Sequence, residues 1–135
     1  MPDQNVALFR RVAEEVWNGN NPDLIPEIYA EDFVLHTPIG DFRGHDGYRG
    51  IYDSYLTAFP DFKFAVADAL GAEDKAVIRW TFSGTHSGKL MGVAPTGKQV
   101  SVMGVAIARI ANGKLAEEWA VWDLHGLMQQ IGAIT

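Results

Sequence analysis

Hydrophobic positions change their period once along this chain. In the N-terminal third, Val6, Phe9, Val12, Ala13, Val16 and Trp17 recur at spacings of three and four, the single apolar stripe of an otherwise charged helix that Asp3 can cap. Asn18-Gly19-Asn20-Asn21 stops it. Pro22 follows an Asn, as a first-turn proline does, and predicts a short second helix ending around Tyr29. Phe33 to Thr37 reads as a short strand holding His36, closed by Pro38 and Gly40. Gly44-His45-Asp46-Gly47 then opens a third helix, whose stripe is Tyr48, Ile51, Tyr52, Tyr55, Leu56 and Phe59.

Beyond Pro60-Asp61 the period becomes two. Phe62 to Leu70 and Lys75 to His86 read as strands joined by a turn at Gly71-Ala72-Glu73-Asp74. On the second of these, Ile78, Trp80 and Phe82 share a face. After the glycine-bearing loop Gly84 to Gly97, Gln99 to Ile110 is a strand apolar on both sides: Val100, Val102, Ala106 and Ile110 on one, Met103, Val105 and Ile107 on the other. Such a strand in an antiparallel sheet needs a cover on each face. Helices supply one, and a second copy of the chain is the expected cover for the other, which predicts a homodimer through the outer sheet face. A short helix, Leu124 to Ile131, closes the chain. Helices first and a four-strand meander afterwards make the class α+β, with residues 1–135 as one domain.

The last strand holds the chemistry to be explained. Asn112-Gly113 is a hairpin turn signal, and from Lys114 the alternation puts Glu117, Trp119, Val121 and Asp123 on one face and Glu118, Ala120 and Trp122 on the other. Asp123 ends an aromatic strand with an acid. It has two readings: a cap for the helix from Leu124, or a carboxylate whose pKa a pocket raises for proton transfer.

Totals narrow the field. Eleven Lys and Arg against seventeen Asp and Glu give a net charge of −6, with no basic run or stripe, so a nucleic-acid partner is not expected. There is no cysteine, which removes disulfides, thiolate metal sites and a Cys nucleophile. No signal-like start or membrane-length apolar run is present, and these features together predict a cytoplasmic protein with no membrane partner. His, Asp and Glu show no ligand spacing within one element, His36, His45 and Asp46 being the nearest approach to a metal set.

The loop Gly84-Thr85-His86-Ser87-Gly88-Lys89-Leu90-Met91-Gly92-Val93-Ala94-Pro95-Thr96-Gly97-Lys98 carries a resemblance, together with Gly104, the stretch Gly113-Lys114-Leu115 through Trp119, Asp123, Gly126-Leu127 and Gln130-Ile131-Gly132. In these the chain resembles the SnoaL-like polyketide cyclases and ester cyclases of the nuclear-transport-factor-2-like superfamily. The resemblance implies a cone-shaped barrel: a curved antiparallel sheet wrapped around the N-terminal helices, with a deep apolar pocket open at one end. It implies an intramolecular aldol-type ring closure of a polyketide-like or other small apolar carbonyl substrate, without metal or cofactor, with Asp123 as general acid/base. The cyclases' partner histidine has no counterpart on the strand Val100 to Ile110, where Arg109 is the polar candidate near the end. His36 is the expected catalytic partner, on the small strand that lines the family's pocket; a structural histidine is the alternative. The expected substrate-binding set is Trp119, Trp80, Phe82, His86, Met91, Tyr52, Val121 and Arg109, with His86 and Met91 as lid residues. The competing functions are a non-catalytic small-ligand-binding protein and an isomerase- or dehydratase-like enzyme on the same fold.

Overall fold

The computed structural model describes residues 2–135. The N-terminal stripe forms α1 (Pro2–Arg11), which runs straight into one turn and a half of π-helix at Val12–Trp17. The wider turn is marked by the Asn18 N–H donating to the Ala13 carbonyl at 3.0 Å. It presents Val12, Ala13, Val16 and Trp17 to the interior together; such turns occur often at functional sites. Pro22–Leu24 is a 3-10 turn leading into α2 (Ile25–Ile28). The chain then enters β1 (Tyr29–Thr37), turns back through β2 (Gly40–Arg43), and forms α3 (Gly44–Ala58).

Four long strands follow, β3 (Lys63–Ala72), β4 (Lys75–Thr85), β5 (Gln99–Ala111) and β6 (Lys114–Trp122), and then α4 (Leu124–Gln130). The sheet order is β2-β1-β6-β5-β4-β3. The predicted meander β3 to β6 is antiparallel throughout. Two features differ from the sequence reading. β2 is a strand of its own, and β1 lies parallel to β6, so the sheet is mixed. It is also not closed: β2 and β3 are its two edges.

α1, the π-segment and α3 pack on one face of this sheet, and the core lies between. Along β5 the burial alternates: Val100, Val102, Ala106, Ala108 and Ile110 point into the core. Met103, Val105 and Ile107 point out, and with Trp119 and Val121 of β6 they leave an apolar strip on the outer face. Gly104 is buried beneath the Trp80 ring, where a Cβ would come within 2.4 Å of the indole. No helix is long and apolar enough to cross a membrane among the described residues.

β6 contains the irregularity that matters most. Ile110 of β5 pairs with Leu115, but Arg109 pairs with Glu117, so Ala116 is an extra residue on β6. This β-bulge puts two residues against one and resets the alternation. Leu115 faces inward, and after the bulge so do Glu118, Ala120 and Trp122.

Candidate active site

The covered face of the sheet and the helices enclose an apolar cavity of about 80 Å³. Trp17, Phe62, Phe82 and Trp80 make much of its wall. Phe62 stacks on Phe82 at 4.7 Å between centroids, and Trp17 meets Phe62 at 4.8 Å. Into this lining comes one carboxyl group, that of Glu118. Its residue is 6% exposed, and Oε1 is buried without a hydrogen-bond partner. Desolvation favours the neutral acid, and burial pushes the Glu118 pKa up to about 8.

Two phenols feel its charge. Tyr29 and Tyr48 have pKa values raised by burial first, and both are raised further by the charge of Glu118. Tyr48 OH accepts from the Trp17 indole N–H at 2.9 Å. The Tyr29 and Tyr48 rings lie 4.4 Å apart. Seven residues further along α3, Tyr55 also lines the cavity, beside Trp122. The Tyr55 hydroxyl and the Trp122 indole N–H are both buried without a partner.

The predicted site residues separate into two groups. Trp80 and Phe82 line the cavity as expected. The others lie elsewhere, and the expectation that the Glu117–Asp123 face looks into the pocket is corrected. Asp123 is exposed and is the N-cap of α4, accepting from the Gly126 N–H at 2.9 Å. Trp119 and Val121 are 38% and 62% exposed on the outer face. His36 faces outward too. Its Nε2 lies 2.7 Å from Glu117 Oε2 and its Nδ1 2.9 Å from Asp41 Oδ1, and its ring stacks on Trp119. It has no bond to Asp123. Hydrogen bonds donated to Glu117 and then to Asp41 raise the His36 pKa, and the bond from His36 lowers that of Glu117.

Arg109 donates to Glu117 Oε1 at 3.4 Å and borders an open polar hollow of about 390 Å³ on the outer side, shared with Asp32 and Lys114. His86 is fully buried under the loop after β4, its Nδ1 accepting from the Thr96 N–H at 3.3 Å; it is a loop residue outside the cavity lining. Met91, in the same loop, is 46% exposed. Tyr52 is buried, but it packs on Trp17 from outside the cavity and donates to Asn20 Oδ1 at 2.6 Å. His45 lies 2.8 Å from the Tyr29 carbonyl, away from the His36 cluster. Among the described residues no three His, Asp or Glu side chains converge as metal ligands.

Sequence reasoning missed Glu118, although the alternation had already set it opposite Asp123. Both faces of β6 carry an acid and a Trp, and only the position of the helices tells which face is inside. A lone acid flanked by Leu115, Ala120 and Trp122 was the available signal.

An α+β chain whose mixed sheet holds one acid in a helix-covered apolar cavity has the architecture of the ketosteroid-isomerase-like, nuclear-transport-factor-2-like proteins. A solved protein with that fold from Catenulispora acidiphila is similar over 93% of this chain and 92% of its own, at 17% identity and a TM-score of 0.78. Within that class, the family model for SnoaL-like polyketide cyclases matches residues 7–131, and the chain belongs to that family. Similar solved structures include a candidate SnoaL-like polyketide cyclase from Jannaschia sp. CCS1 (23% identity, 99% of this chain and 95% of that one, TM-score 0.91). IdmH, a candidate polyketide cyclase from Streptomyces antibioticus, is 28% identical over 96% of this chain and 99% of its own, with a TM-score of 0.83. AclR, a candidate hydroxylase from Streptomyces galilaeus, is 26% identical over 98% of each chain, with a TM-score of 0.86. No curated protein matches the sequence.

Proposed function

We propose that this protein is a proton-transfer catalyst of the cyclase type, with Glu118 as the general acid/base and an enolisable, apolar carbonyl compound as substrate. The observation that carries this reading is the single unpaired carboxyl inside the aromatic cavity, with a pKa lifted to about 8. A general acid/base works best when its pKa lies near the working pH. Asp123, in this reading, caps α4 and takes no part in the chemistry.

The chemistry balances with that one group. Glu118 in its carboxylate form takes the proton from the carbon between two carbonyls, leaving an enolate. The enolate carbon attacks a second carbonyl of the same molecule, a C–C bond forms, and the new alkoxide takes the proton back from Glu118. The flat aromatic walls hold the folded chain so that its reacting carbons meet. Stopping after the first transfer and returning the proton to another carbon would give an isomerisation, with the same residue and the same pocket.

The cavity favours a substrate that parts its walls. Its volume of about 80 Å³ is less than the ~150 Å³ that admits benzene, so a ligand must displace side chains. Val12, Ala13 and Trp17 of the π-segment Val12–Trp17 form one wall. The test is deuterium incorporation from solvent into 1-phenyl-1,3-butanedione, followed by NMR with and without protein. Catalysed exchange should rise with pH up to about 8 and vanish in Glu118→Gln. Exchange by the Gln variant at the wild-type rate would remove Glu118 from the chemistry, and no catalysed exchange by the wild type would leave a ligand-binding protein as the better reading.

We also propose that a second copy covers the outer face. The exposed strip Met103, Val105, Ile107, Trp119 and Val121 is a contiguous apolar surface of the kind that marks interaction sites. Sedimentation should show a dimer in the wild type and a monomer in Val121→Lys. A wild-type monomer at tens of micromolar would remove this part.

A further inference from the structure

The cavity has a second polar station that the proposed proton transfer leaves unused. Tyr55 Oη and Trp122 Nε1 are each buried without a hydrogen-bond partner. Both residues line the cavity, and their rings meet edge to face at 5.8 Å. The two polar atoms are neighbours. Burial pushes the Tyr55 pKa up to about 12, against a lowering by the Trp122 indole N–H directed at the phenol oxygen. At neutral pH the phenol is protonated: the Trp122 N–H is directed at the phenol oxygen, and the Tyr55 O–H is the donor left without an acceptor. A buried donor left unmade costs about 1–3 kcal/mol, so a cavity that keeps the Tyr55 O–H unpaired is missing an acceptor.

The distance to Glu118 follows from backbone geometry. Glu118 sits by Tyr48, and Trp122 sits by Tyr55. Tyr48 and Tyr55 are seven residues apart on α3, a rise of about 10 Å. Glu118 and Trp122 are four residues apart on β6, an advance of about 13 Å at the Cα atoms. The helix and strand thus space the backbone positions of the two stations by about 10–13 Å. Between them the lining is apolar: Phe62, Phe82, Trp80 and Ala120.

We propose that Tyr55 and Trp122 bind an oxygen acceptor of the ligand about 10 Å from the group that Glu118 addresses, so the site selects flat, apolar molecules oxygenated at both ends. This inference rests on the cavity being the ligand site, as proposed above, and adds which ligands it takes and which way round they lie. Tyr55 and Trp122 are specificity-determining residues in this scheme, and neither moves a proton.

The test uses binding alone, so that it stands apart from the acid/base assignment. Biphenyl, 4-hydroxybiphenyl and 4,4′-dihydroxybiphenyl have the same rings with no, one and two terminal oxygens. Their affinities are measured by isothermal titration calorimetry against the wild type, Tyr55→Phe and Trp122→Phe. The wild type should bind the two-ended phenol roughly threefold to tenfold more tightly than the one-ended one, the worth of a net hydrogen bond. Tyr55→Phe, which keeps the ring and the packing, should bind the two phenols about equally and leave biphenyl unchanged.

Wild-type preference surviving in both variants would overturn the proposal, and so would failure of the wild type to bind either phenol at its solubility limit. Loss of biphenyl binding in Trp122→Phe alone would report a damaged wall, which is why Tyr55→Phe is decisive. If Glu118→Gln kept catalysing exchange while the Tyr55-dependent preference held, the acid/base reading would fail and this one would stand.

Discussion

Replacing Glu118 by Gln should make the protein more resistant to alkaline pH, by an amount set by the buried acid. In the unfolded chain this carboxyl ionises near 4.5, and in the folded protein near 8. Between those values the native state holds a proton that the unfolded state has lost. Stability then falls as pH rises, because the state binding fewer protons gains. The contribution is fully present below about pH 4.5, declines through the window, and is fully lost above about 8. At about 1.4 kcal/mol per pH unit, a gap of about 3.5 units is worth roughly 5 kcal/mol, a large share of the ~5–15 kcal/mol that holds a domain together.

Gln reproduces the shape of the neutral acid and cannot ionise. Urea unfolding of wild type and variant at pH 5 and pH 9 isolates the effect as a difference of differences, in which every other titrating group cancels. Near-equal stabilities at pH 5 and a several-kcal/mol advantage of Gln at pH 9 are expected. A wild-type-minus-variant difference that stayed flat across that range would refute the reasoning: Glu118 would then be ionised in the fold at neutral pH, and its raised pKa would not hold.

Other perturbations test neighbouring parts of the picture. Asp123→Ala should cost about 1 kcal/mol of stability by removing the cap of α4 while leaving diketone exchange at the wild-type rate; lost exchange would return Asp123 to the chemistry. Gly104→Ala should drive the Trp80 indole out of place, since the added carbon meets it at 2.4 Å, with a cost of about 1–3 kcal/mol and weakened binding of biphenyl by calorimetry. His36→Ala should lower stability by less than about 1 kcal/mol, as surface pairs do. Its raised folded pKa means this loss is full below about pH 6.5 and disappears as pH rises through the folded value; a loss unchanged at pH 9 would point to packing on Trp119 instead.

Much of the architecture was legible in the sequence because the hydrophobic period reports which backbone is being covered. α3 and the meander β3 to β6 appear where the stripe and the alternation place them. β2 escaped because Gly40-Asp41-Phe42-Arg43 holds too few apolar residues to alternate, and its role is to pair with β1. The parallel pairing of β1 with β6 joins residues some eighty positions apart, which no local pattern encodes. The candidate site was legible only in part. Trp80 and Phe82 were found because their strand has one apolar face and one polar face. On β6 both faces offer an acid and an indole, so periodicity narrowed the choice to two sets and could not choose between them.

The extra residue at Ala116 gives that ambiguity a history. With a regular ladder from Leu115 onward, Glu117, Trp119 and Val121 would enter the interior and Glu118, Ala120 and Trp122 would leave it. The strand can therefore be read in two frames, and each frame supplies a carboxylate and an aromatic platform. A slip of a single position, with no change of any side chain, would exchange Glu118 for Glu117 on the inner side of the sheet. Such a strand keeps an acid in the dry chamber in either frame, and the bulge decides which acid that is.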